Sequence, residues 1–281
     1  MTTAHSTEVN RGERFRFGAN WRRFLDTVDQ ESIRRAQQSL LSMLETETLE
    51  GRRFLDMGCG SGLFSLAARG LGAEVVSFDY DPQSVACTVE LKRRYFPNDA
   101  QWRIEEGSAL DSAYVSALGA FDFVYSWGVL HHTGAMYTAL ANARLQVIPG
   151  GCLYIAIYND EGARSRAWSK VKKIYCGSVL GRIAVTGIFV PYFFVQSVAV
   201  SLLRYKNPWR YFTSYRSRRG MSVYHDWIDW LGGYPFEVAK PEQILRFYRH
   251  YGFSLINLIT TNRMGCNEFL FKKTGTEVQG R

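Results

Sequence analysis

Phe54-Leu55-Asp56-Met57-Gly58-Cys59-Gly60-Ser61-Gly62 is a short apolar run that ends in an acid and then sets glycines at three alternate positions. A helical pattern begins directly after it. Glycines there let the backbone approach a bulky ligand, and the helix start beyond them offers N–H groups without partners. The spacing excludes a nicotinamide fingerprint. G-x-G-x-x-G needs a third glycine at position 63 counted from Gly58, or at 65 counted from Gly60, and Leu63 and Ser65 stand there. The plain alternative is a glycine-rich turn of no function, so the flanking sequence has to decide.

The flanks argue for a parallel sheet. Residues 73–78 read as a second buried strand, closed by Asp79. An acid at that strand end can accept from two ribose hydroxyls, and Asp79 follows Gly58 by 21 residues. Asp81 precedes Pro82 and reads as a helix N-cap instead. Residues 102–111 give a third strand and its loop. Residues 121–126 give a fourth, followed by Trp127-Gly128-Val129-Leu130-His131-His132. Residues 151–158 give a fifth, introduced by Pro149-Gly150-Gly151, and 252–260 with 266–272 form a final pair joined by a turn at Gly265. Helical patterns between the strands make this a βαβ series with helices on both sheet faces.

D-x-G-x-G-x-G, followed by strands in this order, resembles motif I of the class I S-adenosylmethionine (SAM) methyltransferases. The likeness covers residues 50–160 and 240–273, and is of the type seen in small-molecule enzymes of bacterial ubiquinone/menaquinone biosynthesis. It implies an α/β fold: a doubly wound, mostly parallel seven-stranded Rossmann-like sheet, with a helical insertion after the fifth strand. It implies SAM as cofactor, with contacts at Asp56, Gly58, Cys59, Gly60, Gly62, Asp79, Tyr80, Ser108, Ala109, Ser126 and Trp127. The family often carries an acid toward the adenine amino group where this chain has Ser108; the serine or the Ala109 N–H is left for that contact. The sulfonium makes the methyl group electrophilic. Transfer is an in-line displacement that needs alignment and exclusion of water.

The N-terminal 50 residues read as a helical lid. Asp29 caps a helix whose stripe is Ile33, Ala36, Leu40, Met43 and Leu44. Before it, Phe15-Arg16-Phe17-Gly18-Ala19-Asn20-Trp21 supplies aromatics and a glycine. Trp21 is a cofactor-lid residue or plain core. Residues 1–16 hold no apolar stretch of signal-peptide length, and residues 274–281 read as a flexible tail. Five cysteines, at 59, 87, 152, 176 and 266, contain no C-x-x-C, which fits neither zinc nor a disulfide framework and suits a reducing, cytoplasmic setting. No metal site is expected.

The chain of 281 residues carries a net +8, unevenly spread. Residues 163–225 contain twelve Lys and Arg and no acid, so the remainder sums to −4. The basic character belongs to the insertion, 161–239. The plain reading is a solvated basic face; the sharper ones are an anionic substrate or an anionic membrane surface at the inner face of the membrane. Nucleic acid is a further alternative, although no separate recognition module is visible. Residues 183–203 hold no charge and are long enough to span a bilayer. A single crossing would separate the last two strands from their sheet, and Pro191 divides the run. Two apolar helices are therefore expected, as a substrate cap, a homodimer interface or a membrane patch.

Methyl transfer to oxygen or nitrogen of a small or lipid-linked metabolite is the expected reaction. A SAM-fold protein with other SAM chemistry, or a membrane-associated binding role, is the alternative. His131 is the candidate base for an alcohol or phenol acceptor, because it follows the fourth strand on the ligand-binding edge; the plain alternative is that His131 and His132 are both structural and begin the helix that follows. His132, Asn159, Arg218, Arg219, Trp230 and Tyr234 are the candidate substrate contacts. Residues 218–237 show neither helical nor strand period, so an ordered loop anchored by Trp227 and Trp230 is the plain alternative.

Overall fold

The computed structural model describes residues 3–18, 21, 25, 28–210, 212 and 223–275. The predicted contacts Arg218 and Arg219, and most of the predicted tail, lie outside the described residues. In chain order the elements are α1 (Ala4–Asn10), α2 (Gln30–Leu44), β1 (Arg53–Met57), α3 (Leu63–Gly70), β2 (Glu74–Asp79), α4 (Pro82–Tyr95), β3 (Trp102–Glu106), α5 (Ser112–Ala117) and β4 (Phe121–Trp127). Then come a 3-10 turn (Leu130–His132), α6 (Met136–Leu145), β5 (Val147–Tyr158), α7 (Ala163–Gly177), α8 (Val179–Tyr205), α9 (Val223–Gly232), α10 (Pro241–His250), β6 (Phe253–Ile259) and β7 (Cys266–Lys273).

The strands make one seven-stranded sheet in the order β3-β2-β1-β4-β5-β7-β6. β1 to β5 run parallel, and β7 enters antiparallel between β5 and β6. The sheet is thus the expected doubly wound one. Alternation along each strand builds a core on both faces. Phe54, Val75, Trp102 and Tyr125 pack under the α2 stripe and α3. Leu55, Met57, Val76, Phe78 and Val124 pack with Leu140 of α6 and Tyr248 of α10. Asp29 caps α2 by accepting from the Ser32 amide at 2.7 Å, and Asp81 caps α4, with Pro82 as its first residue. Strand order reverses between β1 and β4, which is where open α/β sheets bind ligands.

Three expectations need correction. β5 begins at Val147, four residues early, because Phe121 pairs with Val147 before the register shifts and Phe123 pairs with Cys152. The glycines 150 and 151 form an irregularity inside the strand, not a turn before it. The apolar run forms one helix, α8, straight through Pro191. Phe189 and Val190 on one side of the proline, and Phe193 on the other, pack into the same cluster with Trp168 and Val171 of α7, and that shared grip holds the helix continuous. Finally, 223–232 is the helix α9. Val223, Trp227, Trp230 and Leu231 recur at helical spacing, a period hidden among the acids between them.

Candidate active site

The glycine loop sits where β1 meets β2 and β4. Gly58, Gly60 and Gly62 have φ of 88°, 54° and 83°, a left-handed region that other residues adopt only with strain. Space enforces the same choice. A Cβ on Gly58 would meet Val129 at 2.3 Å, one on Gly62 would meet Thr88 at 2.8 Å, and one on Gly60 would lie 3.2 Å from the Trp21 indole. The Gly58 and Cys59 amides both donate to the Phe78 carbonyl, at 2.8 and 3.0 Å, tying the loop to β2. Asp79, half-buried at the end of β2, accepts from the Gly60 amide at 2.9 Å and the Asp81 amide at 2.8 Å. Burial raises its carboxyl to about 6 against those bonds.

The N-terminal segment crosses this edge. The Gly18 amide donates to Asp81 at 2.8 Å, and the Tyr80 hydroxyl donates to Glu8 at 2.9 Å. Arg14 pairs with Glu8 at 2.7 Å, stands 5.0 Å over the Tyr80 ring, and donates to the His132 carbonyl at 2.8 Å. One arginine therefore joins the end of β2 to the turn after β4.

Beyond that turn lies a buried cluster under the insertion. His131 is 0% exposed. Its Nδ1 accepts from the Tyr158 amide at 3.3 Å, and its Nε2 is buried without a hydrogen-bond partner. Burial first, and then His132 and Lys172, hold its pKa well below the usual 6.5. The Ala156 backbone acts against this lowering. Full burial leaves the His131 ring closed off from solvent in this structure. His132 has the complementary arrangement. Its Nδ1 lies 2.6 Å from the Pro235 carbonyl, which can only accept, so Nδ1 donates and Nε2 keeps its lone pair. Burial lowers His132 to about 3, and Lys172 and Arg14 add to this against the Pro235 bond.

Lys172 escaped the sequence reading. Its side chain is fully buried on α7. Nζ donates to the Trp230 carbonyl and stands 4.0 Å over the Trp230 ring and 4.9 Å over Phe236. Burial lowers its pKa to about 7. A Cβ on Gly233 would lie 3.2 Å from the His132 ring and 3.5 Å from Lys172 Nζ, so this glycine leaves the space where the two converge. The available signal was a charge on an apolar helical stripe, Trp168, Lys172, Tyr175, Cys176. Tyr158, Trp230 and Phe236 wall the cluster, with centroids 5.2 to 6.2 Å apart.

Residues 28–228 match the family described as "Methyltransferase domain". The chain belongs to this family. As a class I methyltransferase it is SAM-dependent, although the match does not single out the ubiquinone/menaquinone branch. A tRNA U34 carboxymethyltransferase of Pseudoalteromonas translucida is 34% identical over 41% of the methyltransferase and 35% of its own length. The chain thus spans about a third of that relative. Among solved structures, magnesium protoporphyrin IX methyltransferase of Synechocystis PCC 6803 with bound S-adenosylhomocysteine (SAH) aligns with TM-score 0.52 and 15% identity, covering 91% of this chain and 94% of the other. The N-methyltransferase NodS of Bradyrhizobium japonicum WM9 with SAH aligns with TM-score 0.51 and 14% identity, covering 92% and 100%. At such identities the likeness is one of fold.

The other predicted contacts of the methyltransferase divide into two groups. Asp56 is sealed, accepts from Ser65, and is pushed to about 7 by burial. A relay from the Trp102 indole through Ser77 and Ser65 reaches it, so its side chain braces the loop from beneath. The Cys59 thiol is turned inward onto Thr88, which leaves only its backbone on the loop. The Ser126 hydroxyl is spent on the Met57 carbonyl at 2.7 Å. Asn159 accepts from Asn267 at 3.0 Å, which fastens the end of β5 to β7. Ser108 accepts from the Leu110 amide, and the Ala109 carbonyl accepts from Asn142, both in the loop after β3. Trp127 ends β4 exposed, Trp230 lies in the cluster, and the Tyr234 carbonyl accepts from the Phe15 amide at 2.8 Å.

Proposed function

We propose that this methyltransferase transfers a methyl group to oxygen or nitrogen of a small or lipid-linked acceptor held between the end of β5 and the α7–α9 insertion. The observation that carries the reading is a glycine loop of three left-handed residues with Asp79 beside it, facing the turn that bears His131 and His132. The cradle fits an adenosyl cofactor: its three glycines leave the backbone bare of Cβ atoms, and Asp79 is an acid at the strand end where ribose hydroxyls are bound. When bound, SAM supplies an electrophilic methyl group. The remaining work belongs to the chain's own residues. Trp21 and the Phe15–Phe17 stretch cover the edge and exclude water, and the aromatic walls orient an acceptor. His132 Nε2 offers a lone pair for the acceptor proton.

Incubation with labelled SAM and a metabolite extract, beside a bulk tRNA control, tests the acceptor class. Labelling confined to small or lipid-extractable products supports the reading; labelling confined to tRNA overturns it. The cofactor site is tested by calorimetry of Asp79→Ala. Loss of hydrogen bonds to a charged group costs about 1.5–3 kcal/mol, so SAM affinity should fall roughly tenfold or more. Wild-type affinity in Asp79→Ala would remove Asp79 from the site.

A further inference from the structure

α8 is 27 residues long, about 40 Å at 1.5 Å per residue. Its most apolar window has a mean hydropathy of 1.9, yet only 17% of that window is buried. Val185, Ser197 and Ser201 face the body of the protein. The opposite face carries Leu180, Ala184, Ile188, Pro191, Val195 and Leu202, all exposed. No charged residue stands between Arg182 and Arg204. An uncharged outward stripe of this length is well beyond the scattered apolar residues of ordinary surfaces.

Its ends are basic. Arg182 stands 5.6 Å over Tyr175, and Arg204 and Arg210 gather over Tyr205 at 5.6 and 5.4 Å. Lys206 caps the helix, Trp209 is exposed beside it, and Lys170 and Lys173 are exposed on α7. A second copy is a poor occupant for this face. A two-fold contact would bring like charges together, and residues 163–225 hold no acid to offset them. Crossing a bilayer is also excluded. β5 precedes α8, β6 and β7 follow it, and all three pair in one sheet.

We propose that α8 is a monotopic anchor that lies along an anionic phospholipid leaflet, with its outward stripe among the acyl chains and its arginines and lysines at the headgroups. A cavity of about 530 Å³ adjoins the stripe, lined by Val190, Pro191, Phe194, Phe212, Val223, Tyr224 and Trp227. Trp227 lies one helical turn from Trp230 of the buried cluster. Docking therefore brings the leaflet beside the proposed acceptor site. In this last respect the inference rests on the proposed function; the docking itself does not.

Co-sedimentation of the full chain with phosphatidylglycerol–phosphatidylcholine vesicles, without SAM or acceptor, tests the anchor. Binding is expected to these vesicles, to be weaker to phosphatidylcholine alone, and to fall as salt shortens the screening length. The double variant Ile188→Glu, Val195→Glu should bind the vesicles roughly tenfold more weakly or worse, since each change puts a charge among acyl chains. Unchanged SAM affinity by calorimetry confirms that the variant is folded. Wild-type protein that stays in the supernatant, or a double variant that still sediments, overturns the proposal. A dimer in analytical ultracentrifugation that the double variant dissociates, with no vesicle binding by the wild type, assigns the face to a second copy instead.

Discussion

Lys172 and Asp56 show how burial decides what a charged residue does. Asp56 ionises at about 7 in the fold against 3.8 in the open chain, so the folded state binds the extra proton between those values. Its contribution to stability is present in full below pH 4 and is lost as pH rises through about 7. Asp79, at about 6, has the same sign. Lys172 has the opposite sign. Its pKa falls from 10.5 to about 7, so the unfolded chain binds more protons in that window and stability rises with pH across it. His131 and His132, both held below 6.5, carry the sign of Lys172 at lower pH and oppose the two acids there. The test is therefore the change of slope in each variant: Asp56→Asn should make the urea midpoint rise more steeply with pH between about 4 and 7, and Lys172→Met should make it rise less steeply between about 7 and 10.5; an unchanged slope in either variant removes that group from the account. His132→Ala should lower the single-turnover rate by about 10²–10⁴ with SAM affinity intact. The same loss from a His131 variant that keeps its SAM affinity would give the role of base to His131. The roles of the two histidines could not be read from sequence, because they depend on which backbone group meets each Nδ1.

At the scale of the element, strands and caps were legible where period and chemistry agree. The α2 stripe, the Asp29 and Asp81 caps and the β1 to β4 strands stand where the pattern put them, within a residue or two. The misses share a cause, which is that tertiary packing overrode a local signal. Pro191 is a breaker by every local rule, yet the ring cluster around Trp168, Phe189 and Phe193 spans it. A proline within a helix lacks one backbone hydrogen bond and crowds the preceding turn, at up to ~3 kcal/mol relative to alanine. Pro191→Ala is exposed and should raise the urea midpoint; a lower midpoint would mean that the proline ring itself is a needed packing group. Gly232 gives the converse case. A Cβ there would fall 2.1 Å from the Phe15 ring, so Gly232→Ala should destabilise the insertion and free the N-terminal segment to limited proteolysis.

At the scale of the whole molecule, the sheet order followed from the sequence of strands, while the meeting of distant segments did not. Nothing local tells that Arg14 reaches the His132 carbonyl, 118 positions away, or that Phe15 pairs with Tyr234. Arg14 holds Glu8 and Tyr80 at the cofactor edge with one part of its guanidinium, and the turn beside the acceptor cluster with another. We expect this grip to couple the two edges, so that cofactor product and methylated product would leave through one release event. Arg14→Ala should speed stopped-flow dissociation of SAH by roughly tenfold and weaken the acceptor alongside it. A change in only one of the two would show that the edges open independently. If the wild-type enzyme turns over at the rate at which SAH leaves, its throughput is set by a hydrogen bond that touches neither substrate.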